Sequence, residues 1–361
     1  MPHLALDRVT TASHPALSAV SLSIGDGDCL ALLGDSGSGK SSLLETVAGF
    51  IPLVSGEIRL DGQRVDTLKP ALRRIGMVFQ DYALYPNMSV RKNLLFGMRI
   101  RATHPDIMAA RLQRLLTYLP LKTLLESTPD MLNPIEQALT ALGRAIIDEP
   151  DLVVLDEPLA TLPSRYHGTF ISCLGSIRRE FCLTMLYAAS SPEEAFAVAD
   201  TIAVMREGSI VQTGTADALY YRPINIHTAH LASSVPPARL SGTISVREHG
   251  PLIQIQSCSI PLPPVIESRL VDGQPVFLLV RPEYVYRLPE GSPGALNGVV
   301  TSIRRILPDV LVFIQLPDSS TLPLRTNPAA INQLAPGDPI SIGLDTANCV
   351  LFDRITGDAL Y

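Results

Sequence analysis

Short unbroken apolar runs, alternating with helix-spaced ones, organise the first two-thirds of the chain. Cys29-Leu30-Ala31-Leu32-Leu33 and Leu152-Val153-Val154-Leu155 show no polar alternation, as expected of strands buried on both faces of a parallel sheet. Ser42-Leu43-Leu44-Glu45-Thr46-Val47-Ala48 follows the first run with helical spacing. From about 88 to 147 the pattern is mainly helical, as in Ala109-Ala110-Arg111-Leu112-Gln113-Arg114-Leu115-Leu116, with Pro120, Pro129 and Pro134 as breaks. A helix over about 164–181, a strand over 183–188, a helix over 192–199 and a strand over 201–205 continue the alternation, which predicts an α/β layer architecture.

Beyond about 235 the pattern changes. Proline becomes dense, helical spacing disappears, and short runs recur: Thr243–Val246, Val276–Val280 and Val310–Ile314, separated by turn clusters such as Pro317-Asp318-Ser319-Ser320. This predicts a small all-β, barrel-like domain. The expected division is therefore 1–235 and 236–361, with a helical subdomain at about 88–147 inside the first part.

With 361 residues the chain can bury a core in each part. It is 46% hydrophobic and 18% charged, with a net charge of −6. It shows no basic stripe of the kind that marks nucleic-acid binders, so no nucleic-acid partner is expected. Five cysteines are scattered without metal-ligand spacing and read as small hydrophobes in a reducing compartment. No signal peptide or membrane-length apolar stretch is visible, which predicts a soluble, cytoplasmic protein that meets a membrane only through a partner.

The chemistry begins at Gly34-Asp35-Ser36-Gly37-Ser38-Gly39-Lys40-Ser41, which fits G-x-x-x-x-G-K-[ST] between a predicted strand and a predicted helix. That context makes it a P-loop. The glycines allow backbone N–H groups to turn inward around phosphate oxygens, and the helix N-terminus adds a favourable dipole. Lys40 would reach the β- and γ-phosphates of a nucleoside triphosphate, the Ser41 hydroxyl would join a Mg²⁺ shell, and Ser42 would close the phosphate-binding stretch. Asp156 and Glu157 end the second buried strand, and ligands collect at the carboxyl ends of parallel strands. Asp156 would hold Mg²⁺, and Glu157 would orient or deprotonate an attacking water. Gln80, after the apolar run Ile75–Phe79, would join the nucleotide and Mg²⁺ shell through its amide.

In this order these pieces resemble the ATP-binding subunits of ABC transporters. They are most similar to the maltose-type importer ATPases with a C-terminal regulatory β domain of the TOBE type. The most specific stretch is Gly76-Met77-Val78-Phe79-Gln80-Asp81-Tyr82-Ala83-Leu84-Tyr85-Pro86-Asn87-Met88-Ser89-Val90. The resemblance implies that Gln80–Val90 meets transmembrane permease subunits. It also implies closure on a second ATPase subunit, in a homodimer or a heterodimer, and a location at the inner face of the plasma membrane. The Tyr82–Pro86 wording leans toward carbohydrate import.

The chain also departs from that family. Its signature loop, Leu-Ser-Gly-Gly-Gln, falls at Leu132-Asn133-Pro134-Ile135-Glu136. Proline has no N–H to offer a phosphate, and Pro134 and Ile135 replace two flexible glycines. Glu136 brings a negative charge unless the loop turns away. The switch histidine aligns at Ser190, the D-loop aspartate at Pro163, and the adenine-stacking aromatic near Ser13 or His14. Two readings follow: an ATP-hydrolysing importer subunit, or a catalytically weakened ATP-binding module that regulates or completes such a transporter. A chromosome- or repair-type ATPase would carry long inserts that this chain lacks, and nothing in 88–150 suggests a kinase lid.

Overall fold

The computed structural model describes residues 3–12, 15–247, 250–263, 270–331 and 334–360. They form two compact units, Met1–Ala216 and Asp217–Tyr361.

The first unit holds two sheets. Five parallel strands lie in the order Thr201–Arg206, Cys29–Leu33, Met185–Ala188, Leu152–Asp156 and Ile75–Val78, with Ser209–Gly214 antiparallel at one edge. Cys29–Leu33 and Leu152–Asp156 are buried at every position, as their unbroken apolar character requires. An antiparallel sheet runs Val20–Ile24, Leu4–Thr10, Ser55–Leu60 and Gln63–Arg64. Helix Lys40–Ala48 contributes Leu43, Leu44 and Val47 to one core shared with Leu4, Leu32, Val154 and Leu186. Burial of such side chains stabilises the unit by roughly 2 kcal/mol each.

The buried Arg73 fixes the far end of that helix. Its guanidinium donates to the carbonyls of Thr46 (3.0 Å) and Val47 (2.8 Å) and also to Leu68 and Asp66. A cation at a helix C-terminus satisfies orphan carbonyls and opposes the dipole. Helices Val90–Ile100, Pro105–Tyr118 and Pro134–Ile146 make up the helical part between strands Ile75–Val78 and Leu152–Asp156.

The second unit is all-β apart from short helical pieces. Its two five-stranded antiparallel sheets share one core that includes Leu240, Ile253, Leu278, Val312 and Ile342. The stretch 217–235 belongs to this unit. Helix Ile226–Leu231 packs Ile226 and Ala229 against Leu279, Val350 and Phe352, so apolar contact draws the unit's start upstream of the proline-rich boundary in the sequence.

Candidate functional site: a phosphate cradle beside a paired carboxylate edge

The fully apolar strand Cys29–Leu33 delivers the chain to the glycine-rich loop 34–41, and Gly39 turns it into helix Lys40–Ala48. Gly39 has φ 105° and Gly37 φ 79°, a left-handed region in which a Cβ is strained. At Gly34 a Cβ would lie 2.5 Å from both the Met205 carbonyl oxygen and Ser38 Oγ, so only glycine fits. Ser38 Oγ is itself buried with no hydrogen-bond partner among the described residues. A buried hydroxyl in a loop that backbone geometry fits to an anion is a ready donor for that anion.

Lys40, although buried, keeps its charge compensated. Its Nζ donates to the carbonyls of Gly34 (2.7 Å) and Asp35 (3.3 Å) and pairs with Glu157 Oε1 at 3.2 Å. Ser41 Oγ donates to Asp156 Oδ1 at 3.0 Å. Strands Cys29–Leu33 and Leu152–Asp156 each pair with Met185–Ala188, and this brings Lys40, Ser41, Asp156 and Glu157 together. Burial raises the Asp156 carboxyl above the usual carboxylate range, and the neighbouring Glu157 and Glu45 charges add to the rise. The Ser41 hydrogen bond and the Lys40 charge oppose it. A carboxylate that is costly to ionise alone is suited to holding a cation. An anion cradle, a hydroxyl and two carboxylates are thus of the kind that would hold a nucleotide phosphate with Mg²⁺.

Asp35, Ser36 and Gly37 are exposed on the loop, Ser42 is buried, and its carbonyl accepts from Thr46 Oγ1 at 2.6 Å. Gln80 leaves its strand at the same carboxyl edge. Its side chain is exposed and takes no part in the contacts above, while its carbonyl accepts from Thr161 Oγ1 at 3.2 Å. Beyond it the chain is tied down twice. Arg144 donates to the carbonyls of Tyr82 (2.9 Å) and Ala83 (2.7 Å). The fully buried Asn93 accepts from the Tyr85 amide and donates to the carbonyls of Tyr85, Met88 and Ser89.

Residues 17–160 match the family described as ABC transporter, and residues 278–352 match the TOBE domain. The chain is 33% identical over 342 residues to the sn-glycerol-3-phosphate import ATP-binding protein UgpC of Chromohalobacter salexigens, covering 94% of this chain and 90% of that one. It belongs to the ATP-binding subunits of ABC importers. It is also 33% identical over 343 residues to the spermidine/putrescine import ATP-binding protein PotA of Pseudomonas fluorescens, covering 94% of this chain and 93% of the relative. The sulfoquinovosyl glycerol transport ATP-binding protein SmoE of Agrobacterium fabrum is 30% identical over 351 residues, with 96% and 95% covered. Among solved structures, cbiO1 from Clostridium perfringens, part of an ABC transporter complex, aligns with a TM-score of 0.56 at 24% identity over 61% of this chain and 91% of that chain. A dimeric ATP-binding cassette in a post-hydrolysis state with ADP and Pi aligns at 0.52 and 22% identity, over 59% and 98%. These two share the fold over the part they align with, as expected of the P-loop ATPase class, and the TOBE match lies in the all-β second unit.

In this importer subunit the segment that the family resemblance assigns to the signature loop is a helix cap. Asn133 is the N-cap of helix Pro134–Ile146, Pro134 opens its first turn, and Asn133 and Glu136 cap each other reciprocally. Leu132 and Ile135 are buried anchors, and Gln137 Nε2 donates to the carbonyls of Pro129 and Leu132. The Glu136 carboxylate thus turns back onto its own helix. A mutual cap of this kind satisfies two amides that would otherwise be free to meet an anion.

Ser190 is similarly engaged. Its amide (2.7 Å) and its hydroxyl (2.6 Å) both donate to Glu194 Oε2, and the Tyr187 hydroxyl donates to Glu194 Oε1. Glu194 is 4% exposed. Pro163 is exposed and precedes the single turn Ser164–Tyr166, while Ser13 and His14 lie outside the described residues. Sequence reasoning did not find the role of Glu194 or of Arg73. The spacing Asn133-x-x-Glu136 was a capping signal that phosphate-loop alignment hid.

Proposed function

We propose that this chain binds ATP with Mg²⁺ and hydrolyses it, working as one of two ATPase subunits that energise an importer for a small polar organic solute. The convergence of Lys40, Ser41, Asp156 and Glu157 on one edge of the parallel sheet carries this reading. The loop amides of 34–41 and the Lys40 ammonium bind the phosphates, and Ser38 Oγ adds a donor. Ser41, Asp156 and the Gln80 amide are the groups that would hold Mg²⁺. When bound, Mg²⁺ neutralises charge on the phosphate oxygens and orients them for in-line attack. Glu157 holds the attacking water and takes its proton.

A permease would dock on the stretch Gln80–Val90, at the inner face of the membrane. Support comes from apolar side chains left exposed in this unit: Phe50 and Leu72 are 55% and 64% exposed, and Tyr85 is 38% exposed. Phe50 and Phe79 pack ring against ring at 6.0 Å. Asn93 and Arg144 brace the same loop, so a push on it passes into helix Pro134–Ile146. The relatives named for sn-glycerol-3-phosphate and sulfoquinovosyl glycerol support a carbohydrate- or polyol-like cargo, and the polyamine relative is the alternative class.

The capped signature segment and the engaged Ser190 favour a second reading, in which hydrolysis is weakened and the chain chiefly binds ATP. Calorimetry and phosphate release on the full chain separate the two. ATP binding with Mg²⁺ that Lys40→Ala weakens by roughly ten- to a hundredfold supports the cradle. Turnover that Glu157→Gln lowers by about a hundredfold or more supports the enzyme. Binding without turnover above the Glu157→Gln level selects the second reading, and loss of binding in the unaltered chain defeats both.

A further inference from the structure

The first unit has a cavity at the amino-terminal edge of the parallel sheet, opposite the edge that carries Asp156 and Glu157. It measures about 640 Å³ and lies between helix His167–Phe181 and helix Pro192–Val198. These helices continue from the segments of Pro163 and Ser190. Leu174, Met185 and Val198 give it an apolar floor, and Gly175 leaves one wall without a side chain. A Cβ at Gly175 would meet only Arg179 Nη1, at 3.9 Å.

The charges on the rim are unequally committed. Asp200 is compensated, because its carboxylate accepts from the Cys29 amide at 2.7 Å and from Arg178. Arg178 is committed in turn, donating to the Gly27 carbonyl at 3.1 and 2.8 Å as well. Asp26 is 87% exposed in its side chain and faces His3 Nδ1 at 4.0 Å. Arg179 lines the same cavity, is exposed, and forms no ion pair with any described residue. One uncommitted guanidinium beside an apolar hollow is the complement of a molecule with an apolar body and one anionic head. A planar guanidinium meets a carboxylate or sulfonate with two parallel hydrogen bonds.

We propose that this cavity binds a small amphipathic monoanion, its chain or ring against Leu174, Met185 and Val198 and its carboxylate or sulfonate on Arg179. None of its lining residues belongs to the phosphate cradle, so the site stands whether or not the chain hydrolyses ATP. Cys182, exposed at the cavity's edge, supplies a reporter.

The test titrates the full chain with 1-anilinonaphthalene-8-sulfonate, which carries fused rings and a single sulfonate, and follows its fluorescence. One saturable site is expected, unchanged by Lys40→Ala or by ATP with Mg²⁺. Arg179→Ala should weaken it by about tenfold, the scale of one lost charge-assisted contact. Gly175→Leu should abolish it by filling the hollow, and replacing a mid-helix glycine favours folding, which an unlowered Tm would verify. Occupied cavity should also slow iodoacetamide alkylation of Cys182, and Gly175→Leu should remove that protection. No saturable binding, or binding that both variants leave intact, overturns the proposal; the dye would then sit elsewhere, for example on Phe50 and Leu72.

Discussion

Asn133 and Glu136 hold each other at the start of helix Pro134–Ile146. The Glu136 amide donates to Asn133 Oδ1 at 3.1 Å, and the Asn133 amide donates to Glu136 Oε2 at 2.9 Å. With proline following Asn133, the first turn keeps few donors for anything outside the chain. The substitutions that read as damage to a phosphate loop therefore stabilise a helix end.

Replacing Asn133-Pro134-Ile135-Glu136 with Ser-Gly-Gly-Gln, together with Ser190→His, should raise phosphate release at least about tenfold. Leaving Glu136 in place should blunt the gain, because its carboxylate stays at the helix start. The helix should lose about 2 kcal/mol, from the cap and the added glycines. Steady-state phosphate release and a melting curve on each variant check both parts. Unchanged turnover in the full replacement would show that this segment does not limit catalysis.

Glu194→Ala should destabilise the first unit by about 2 kcal/mol, since it leaves the Tyr187 hydroxyl buried without its acceptor. Ser190→Ala, which removes one of several donors to that carboxylate, should lower stability less. Denaturant unfolding of the two variants gives the order, and a reversed order would contradict the assigned contacts.

Asn93→Ala should free the Tyr85–Ser89 loop, because one side chain supplies its four hydrogen bonds. Loss of buried bonds on this scale costs about 2–3 kcal/mol. Hydrogen exchange should rise at the Tyr85 amide. Exchange equal to that of the unaltered chain would rule out Asn93 as the brace.

Acid should loosen the second unit through Asp353. Its carboxylate accepts from the Thr356 backbone amide (3.0 Å), the Gln274 side-chain amide (3.0 Å) and the Ile355 backbone amide (2.7 Å), and these hold the carboxyl below the usual carboxylate range. A carboxyl depressed in the folded state contributes stability above its unfolded-state value, and that stability is lost as pH falls through the folded value. Asp353→Asn should therefore flatten the acid limb of the unfolding curve. An acid limb as steep as that of the unaltered chain would remove Asp353 as a source.

Much of the site was legible because its signals are local. Gly34–Ser41 between an apolar strand and a helix, and Asp156-Glu157 after four apolar residues, are patterns complete within a few positions, and folding brings them together at one edge of the sheet. Gln80 was legible in place, at the end of its strand, but its exposed amide does not join the contacts among Lys40, Ser41, Asp156 and Glu157. Arg73 gave no such signal. Its contacts reach back to Thr46 and Val47, a pairing that periodicity cannot express. The start of the second unit was similarly hidden, because composition marks the prolines near 235 while packing of Ile226 and Ala229 on Phe352 marks an earlier point.

The sequence by itself determined the class of this protein: a phosphate-binding loop, an acidic strand end, a helical insert and a β-rich C-terminal part, each written in residue spacing or in apolar period. Tertiary structure decided how the departures are used. Only folding shows that Glu136 faces its own helix, that Glu194 holds Ser190, and that Arg179 stands uncommitted over an apolar hollow. The physical reason is that a side chain's charge and hydrogen-bonding capacity are fixed by its type. Which partner it meets depends on the surfaces that distant segments bring beside it.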